Sequence, residues 1–214
     1  MGAAALILLS SMSSVGWEPL LFKKVPRATA YSFADGAIHA VSSDAASGLI
    51  RRLDGSAAER PMLRWRWKVA APLAHADARA KRGDDFAARV YVTFRYDPSR
   101  AGLGLRTKYG LAKALYGEYP PHAGIAYVWA GQEPAGSDWP NPFTGRVRML
   151  AVRSGAADAG AWVAERRDLL DDYRRLFGEE PPPLAGVAVM TDTDQTGAQA
   201  EAWFSDISLS PRGP

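Results

Sequence analysis

Two short acidic segments hold the side chains best suited to bind a metal ion. Asp84 and Asp85 directly precede a strand-like stretch, and Asp192 and Asp194 alternate with threonines over residues 191–196. Carboxylate and hydroxyl oxygens in a loop are ligands that calcium takes, although the glycine and closing glutamate of an EF-hand are absent here. The same oxygens also cap loop amides in Asx turns. The sequence therefore predicts either a structural calcium site at Asp192 and Asp194 or a hydrogen-bonded turn.

Basic and polar side chains alternate with apolar ones in two segments, residues 63–69 and 86–94. The polar positions are Arg64, Arg66, Lys68, Arg89, Tyr91 and Thr93. If the two segments pair as neighbouring strands, these groups form a ladder on one face of a sheet. Such a ladder is either a set of ion pairs on a solvated face or a groove that hydrogen-bonds a saccharide or an acidic polymer. Arg89 is the main candidate in such a groove, because its guanidinium can hold two hydroxyls or a carboxylate at once.

Aromatic side chains at strand ends and in loops are candidates to stack on the apolar face of a sugar ring. These candidates are Trp129, Trp139, Tyr116 and Tyr119. For each of them the alternative is that the ring anchors a loop. Trp65 and Trp67 alternate with arginines beside Leu63 and Val69, so we expect them in the core.

Carboxylates offer the main route to catalysis. A glycosidase needs a pair of them at a defined separation, which the sequence does not give. The candidates for such a pair are Asp85, Glu165, Asp171, Asp192 and Asp194. His39, His75 and His122 lack the spacing of a metal site, and the chain has no cysteine, P-loop or GxSxG sequence. A carboxylate-pair enzyme is therefore the catalytic alternative.

Strict alternation predicts that residues 63–69 and 86–94 form half-buried antiparallel strands. The apolar face of the second strand begins at Phe86 and ends at Phe94. Further strands are predicted at residues 37–41, 48–53, 125–130, 147–152, 161–166, 184–190 and 200–209, with a helix at 169–177 and loops at 71–84, 97–121 and 131–145. About nine strands predict an all-β fold, a two-sheet antiparallel sandwich of jelly-roll type with one or two short helices. An up-and-down barrel is the alternative.

Composition and length fit one domain. The 214 residues are 47% hydrophobic and 23% charged, and the net charge of +3 is too small to indicate a nucleic-acid partner. Residues 3–9 are apolar and residues 10–14 are small, like a signal peptide that lacks its basic start. We therefore expect a leader over residues 1–16 and one domain over residues 17–214, periplasmic or secreted, with the cytoplasm as the alternative. No segment is long enough to cross a bilayer as an apolar helix.

Five stretches of the sequence resemble a bacterial family known as Domain of Unknown Function 3047. They are residues 65–69, 83–92, 127–129, 171–178 and 190–194, and their order and spacing span nearly the whole chain from residue 17. The resemblance implies a bacterial, often exported protein and gives no activity, substrate or catalytic residue. Where the family usually has Asn after the second Asp of the acidic turn, this chain has Gln195. More loosely, the strand pattern and the closing residues 203–207 resemble galactose-binding-like jelly rolls and carbohydrate-binding modules.

Together these observations predict non-catalytic binding of a carbohydrate or cell-envelope polymer. The predicted ligand-binding residues are Arg66, Asp85, Arg89, Tyr91 and Trp129. Asp192 and Asp194 form either the rim of the groove or the calcium site. A glycan-active enzyme and a protein-interaction module that uses residues 97–121 are the alternatives. Apart from calcium no cofactor is expected, and the oligomeric state is left open.

Overall fold

The computed structural model describes residues 15–73, 77–98 and 121–213, together with Gly104 alone. Within these residues the chain forms twelve strands, one α-helix and one short 3₁₀ turn. The strands are β1 (Glu18–Leu20), β2 (Ala30–Ala34), β3 (Ala37–Ser43), β4 (Ala46–Arg52), β5 (Met62–Val69), β6 (Arg89–Phe94), β7 (Ala123–Ala130), β8 (Asp138–Asn141), β9 (Thr144–Ser154), β10 (Val163–Asp168), β11 (Leu184–Asp192) and β12 (Gln199–Ser210). The 3₁₀ turn is Lys81–Gly83 and the helix, α1, is Leu169–Phe177.

The strands form two facing sheets. The seven-stranded sheet has the order β1-β4-β11-β6-β7-β9-β8, and the five-stranded sheet has the order β10-β5-β12-β3-β2. This confirms the predicted two-sheet sandwich. The predicted loop at residues 131–145 is wrong in part, because it contains β8, which forms an antiparallel hairpin with β9 at the edge of the sheet. β9 lies between β8 and β7 and runs parallel to β7, whereas the other strand pairs of the described residues are antiparallel.

The main core lies between the sheets and is rich in aromatic rings. Trp65 and Trp67 of β5 are buried, as the alternation predicted, and each contacts a ring from the opposite sheet. The ring centroids of Trp65 and Tyr127 are 5.4 Å apart, and those of Trp67 and Trp129 are 5.6 Å apart. Truncating a buried tryptophan to alanine costs about 3–5 kcal/mol. These pairs therefore fix how the two sheets pack.

The two alternating segments are not neighbours, so the condition for a shared polar ladder is not met. β5 belongs to the five-stranded sheet and β6 to the seven-stranded sheet. Their polar faces therefore point to opposite sides of the sandwich, and the ladder that would join Arg64 to Arg89 does not form. Alternation is local to each strand, so it gives the buried face of a strand but not its neighbour.

A smaller apolar cluster covers part of the outer face of the seven-stranded sheet. Phe86 and Trp139 pack there with their ring centroids 6.4 Å apart, against small side chains of β7 and β9. Phe86 was expected to share the inner face with Phe94, but β6 begins only at Arg89, so Phe86 precedes the alternation. The consequence is that the polar residues at the start of β6 lie beneath apolar groups.

Helix α1 closes one end of the core. The Asp168 carboxylate accepts hydrogen bonds from the amides of Leu170 and Asp171, and the Gly178 amide donates to the Arg174 carbonyl with Gly178 in the left-handed region. The buried Tyr173 packs against Phe94 of β6, with the ring centroids 4.6 Å apart. In the described ranges, no helix has the length and apolar character that crossing a membrane requires.

Candidate functional site

Arg89 lies in a buried ionic network and not on an open groove. Its side chain is 2% exposed. Its Nε donates to Oδ1 of Asp192 at 2.8 Å, and a second nitrogen donates to Oδ2 of the same carboxylate. The remaining donors reach the Oδ1 of Asp84 at 3.2 Å, the Asp84 carbonyl and the hydroxyl of Tyr91 at 3.1 Å. The guanidinium is therefore surrounded by acceptors from this chain.

The charges of this network depend on one another. Burial acts to lower the pKa of Arg89, but the carboxylates of Asp192 and Asp84 raise it well above its usual value. Burial raises the pKa of Asp192 to about 8, against the opposing effect of Arg89. Removing one partner of a buried ion pair leaves an uncompensated charge and typically costs about 3–5 kcal/mol. We therefore infer that the role of Arg89 is to stabilise the fold.

Asp85 holds the second acidic turn in place. Its carboxylate accepts hydrogen bonds from the amides of Gln195 at 3.1 Å and Thr196 at 2.8 Å, and from the Thr196 hydroxyl at 2.7 Å. The carboxylate therefore caps loop amides, as the alternative to calcium predicted, but these amides belong to a distant segment and do not form an Asx turn. The bonds span 110 residues and join the segment before β6 to the one after β11.

The three acidic side chains that come closest to forming a cation site already accept hydrogen bonds from this chain. Asp85, Asp192 and Asp194 each place one carboxylate oxygen within 4.8 Å of the others. However, a cation there would compete with Arg89 for Asp192 and with two amides for Asp85. The donor set therefore fits calcium poorly, and calcium binding by Asp192 and Asp194 stays a prediction.

The structure separates the remaining predicted ligand residues. Trp129 is 1% exposed, packs in the main core and donates its indole N–H to the Gly155 carbonyl at 3.0 Å. The expected open placement is therefore wrong for Arg89, Asp85 and Trp129, because apolar groups or partner side chains cover each of them. Tyr91 is half-buried beside Arg89, and only Arg66 is exposed.

Other candidates from the sequence have equally clear placements. Trp139 is buried in the smaller cluster. The structure does not describe Tyr116, Tyr119, His75, residues 1–14 or most of the 97–121 segment.

Glu165 belongs to β10, in the opposite sheet from Asp192. Its carboxylate accepts hydrogen bonds from Arg153 at 2.6 Å and from Trp67 Nε1 at 3.3 Å. Of the carboxylate pairs that the sequence left open, the one formed by Glu165 and Asp192 therefore does not face one cleft.

The outer face of the five-stranded sheet is open and rich in basic and aromatic side chains. We call this surface the basic face. It comprises Arg64, Arg66, Lys68, Trp162, Arg166 and Trp203. β5 alternates exposed cations with buried rings, so its arginines point outward by strand geometry alone. On β10, Ala164 lies opposite Arg66, and Arg166 lies opposite Arg64.

Two tryptophans of the basic face differ in how accessible their rings are. The ring of Trp203 stacks on His39 with centroids 4.8 Å apart, and Lys68 Nζ lies 3.8 Å from the same centroid. Since His39 on β3 and Lys68 on β5 flank β12 on opposite sides, both faces of Trp203 are covered. Trp162, just before β10, is 37% exposed. The guanidinium carbon of Arg66 lies 5.3 Å from its ring centroid.

Two adjacent clefts open on the basic face. A cleft of about 370 Å³ over the small Ala164 side chain is lined by three arginines and two carboxylates, namely Arg64, Arg66, Arg166, Glu165 and Asp206. A second cleft, of about 310 Å³, lies between Trp162 and Trp203. The sequence indicated the cations of β5, and the alternation at residues 162–166 is the signal for the rest of this face. It places Trp162 and Arg166 on the same outward face as Ala164.

Two sheets packed face to face in this strand order define a jelly-roll β-sandwich with one helix. The chain belongs to the family described as Protein of unknown function (DUF3047), whose model matches residues 15–208. Among curated proteins, none matches the sequence.

Solved structures with a similar arrangement of strands include domains that act on polysaccharides or bind them. One is the family 11 carbohydrate-binding module of the cellulase Lic26A-Cel5E of Clostridium thermocellum, which is 9% identical with a TM-score of 0.45 over 92% of this chain and 88% of that one. Another is the xyloglucanase domain of NopAA, a type three effector from Sinorhizobium fredii, which is 8% identical with a TM-score of 0.48 over 93% and 94%. Similarities of this size assign neither ligand nor activity to this chain.

Proposed function

We propose that this protein binds a carbohydrate chain on the basic face, without catalysis. The observation that carries the proposal is the open cleft over Ala164, with three arginines around it and the exposed ring of Trp162 beside it. Guanidinium groups donate in a fixed fork that matches pairs of sugar hydroxyls. An exposed indole offers a flat apolar surface for the apolar face of a sugar ring.

The shape of the face suits an extended ligand. Neighbouring strands lie about 4.8 Å apart, so β12, β5 and β10 present a strip about 10 Å wide between their axes. The first cleft opens on this strip, and the second lies beside it, where Lys68 and the rings of Trp162 and Trp203 face β2 and β3. A polymer can therefore contact the arginines and the indole at the same time. We place such a ligand in the cell envelope, which also implies an exported protein.

The proposal is tested by screening the purified protein on an array of neutral and acidic glycans. Trp162→Ala should weaken binding to every glycan that the wild type retains, because it removes the exposed ring. Phe143→Ala is the matched control, since Phe143 is 54% exposed but belongs to the hairpin of the seven-stranded sheet. Equal losses in both variants, or no binding by the folded wild type, contradict the proposal.

The other predicted functions remain open to direct tests. An interaction module that uses residues 97–121 depends on a segment that lies mostly outside the described residues. A glycan-active enzyme would release product from a bound polymer, and the same array ligands serve as substrates for that assay. Neither alternative has a described site comparable to the basic face.

A further inference from the structure

We infer that the polymer held by the basic face is an anionic polysaccharide, an inference that rests on the proposed function. Arg64 and Arg166 lie directly opposite each other on neighbouring strands. Like charges in this position repel and destabilise a sheet. In the part of the chain that the structure describes, neither arginine has a carboxylate partner or a hydrogen bond. No direct ion pair offsets this repulsion, although the carboxylates of Glu165 and Asp206 also line the cleft, so an added anion in the cleft would relieve it.

Arginines elsewhere on the described surface differ from these two in that many of them form ion pairs. Several of them pair with a carboxylate, including Arg27 with Asp44, Arg95 with Asp54, Arg153 with Glu165, Arg174 with Glu180 and Arg212 with Asp168. On the basic face the nearest carboxylate to an arginine is that of Asp206, 3.6 Å from Arg66, and both of these side chains are about half exposed or more. The cleft over Ala164 therefore keeps an excess of positive charge, because its three arginines face two carboxylates, Glu165 and Asp206, and Glu165 is paired with Arg153.

The positions of the arginines match an acidic group carried on a polymer. Arg64 and Arg66 are two residues apart on β5, which separates them by about 7 Å along the strand, and Arg166 lies across from Arg64 at about 5 Å. A carboxylate or phosphate can accept two parallel hydrogen bonds from one guanidinium. An acidic group above Ala164 is within hydrogen-bonding reach of more than one of these guanidinium groups.

The charge is too localised for a nucleic acid. A nucleic-acid site needs a basic stripe that follows many phosphates, whereas this chain has a net charge of only +3 and the basic face holds four cations. The ring of Trp162 beside the cleft adds the apolar surface that a sugar backbone offers. An acidic polysaccharide fits both features.

The test compares polygalacturonate with its fully methyl-esterified form, which has the same backbone without the charge. We expect the wild type to bind the acidic form more than tenfold more tightly, and 0.5 M salt to remove most of the difference, since exposed charges are screened over about 3–10 Å at such concentrations. The double variant Arg64→Gln/Arg166→Gln should bind polygalacturonate about tenfold more weakly. Dextran sulfate is a second acidic polymer. Comparing its affinity with that of polygalacturonate distinguishes a site for carboxylates from a site for sulfate esters.

A matched control removes the same charge from elsewhere. Arg27→Gln/Arg95→Gln deletes two exposed arginines that lie away from the β5–β10 edge, and it should leave the affinity unchanged. Equal binding of the acidic and esterified polymers that is lost in Trp162→Ala but kept in the arginine variant overturns the inference and leaves the proposed function intact. No polysaccharide binding by the folded protein overturns both. Tighter binding to duplex DNA than to polygalacturonate overturns the inference in favour of a nucleic acid.

Discussion

Replacing Arg89 with methionine tests whether the buried network is structural. The substitution keeps an apolar stem of similar length but removes the hydrogen bonds to Asp192, Asp84 and Tyr91. Each hydrogen bond to a charged group is worth about 1.5–3 kcal/mol, and breaking a buried pair costs about 3–5 kcal/mol. We therefore expect the free energy of unfolding at pH 7 to fall by about 3–5 kcal/mol, a large share of the 5–15 kcal/mol typical of a domain.

Urea unfolding followed by tryptophan fluorescence measures this loss. Arg89→Met/Asp192→Leu is the informative companion, because removing both charges leaves fewer unpaired groups and should recover part of the stability. A loss below about 1 kcal/mol in the single variant, with an unchanged slope against urea, would refute the structural assignment of Arg89.

The pH dependence of the same variant has a definite sign. Burial raises the pKa of both Asp192 and Asp84, and Arg89 is the group that opposes this rise. In the wild type the pKa of Asp192 is already raised from 3.8 to about 8, and without Arg89 the folded variant keeps this proton to a still higher pH. Its stability must then fall as pH rises. The gap between wild type and variant should therefore widen as pH rises through 8, where the wild type ionises Asp192 beside Arg89 and the variant does not, and a gap that narrows there contradicts the reasoning.

Three further predictions concern other described residues. Arg64→Gln should raise the free energy of unfolding by about 0.2–1 kcal/mol, measured by thermal melting, because it relieves cross-strand repulsion; a loss would contradict the unpaired state of this arginine. Asp85→Ala should lower stability by about 1–3 kcal/mol in urea, since the amide of Thr196 loses its acceptor, and added calcium should not restore it. Partial burial acts to raise the pKa of Asp138, but hydrogen bonds from Arg148 and Arg175 lower it below 3.8. The stability that the ionised Asp138 contributes is present above pH 3.8 and is lost as pH falls through its lowered pKa. Asp138→Asn should therefore destabilise the protein at pH 6 and much less at pH 2.

The sequence predicts those features of this fold that depend on a single strand or helix. The alternation of Trp65 and Trp67 with arginines gives the buried and exposed faces of β5, because side chains in a strand point alternately to its two sides. Helix α1 is equally local, with Asp168 at its start and Gly178 at its end. The sandwich class follows from the number and spacing of such segments.

Features that depend on distant partners could not be read in this way. Arg89 belongs to a period-two pattern that implies a half-exposed strand, yet its partner Asp192 is 103 residues away and the apolar cover comes from a third region. Likewise, β8 has only four residues and contains Pro140, so it lacks a strand signal of its own. It is a strand because β9 offers it a free edge.

The exposure of Trp162 gives the protein an internal optical reporter. Of the seven tryptophans, four are buried, Trp17 and Trp203 are intermediate, and only Trp162 belongs to the exposed class. Collisional quenching of fluorescence therefore samples mainly this indole. Because Arg66 and Lys68 lie next to the ring, iodide should accumulate around it while caesium is repelled. The ratio of the two quenching constants reports the local electrostatic potential of the basic face, and a bound chain that shields the ring would bring that ratio closer to one.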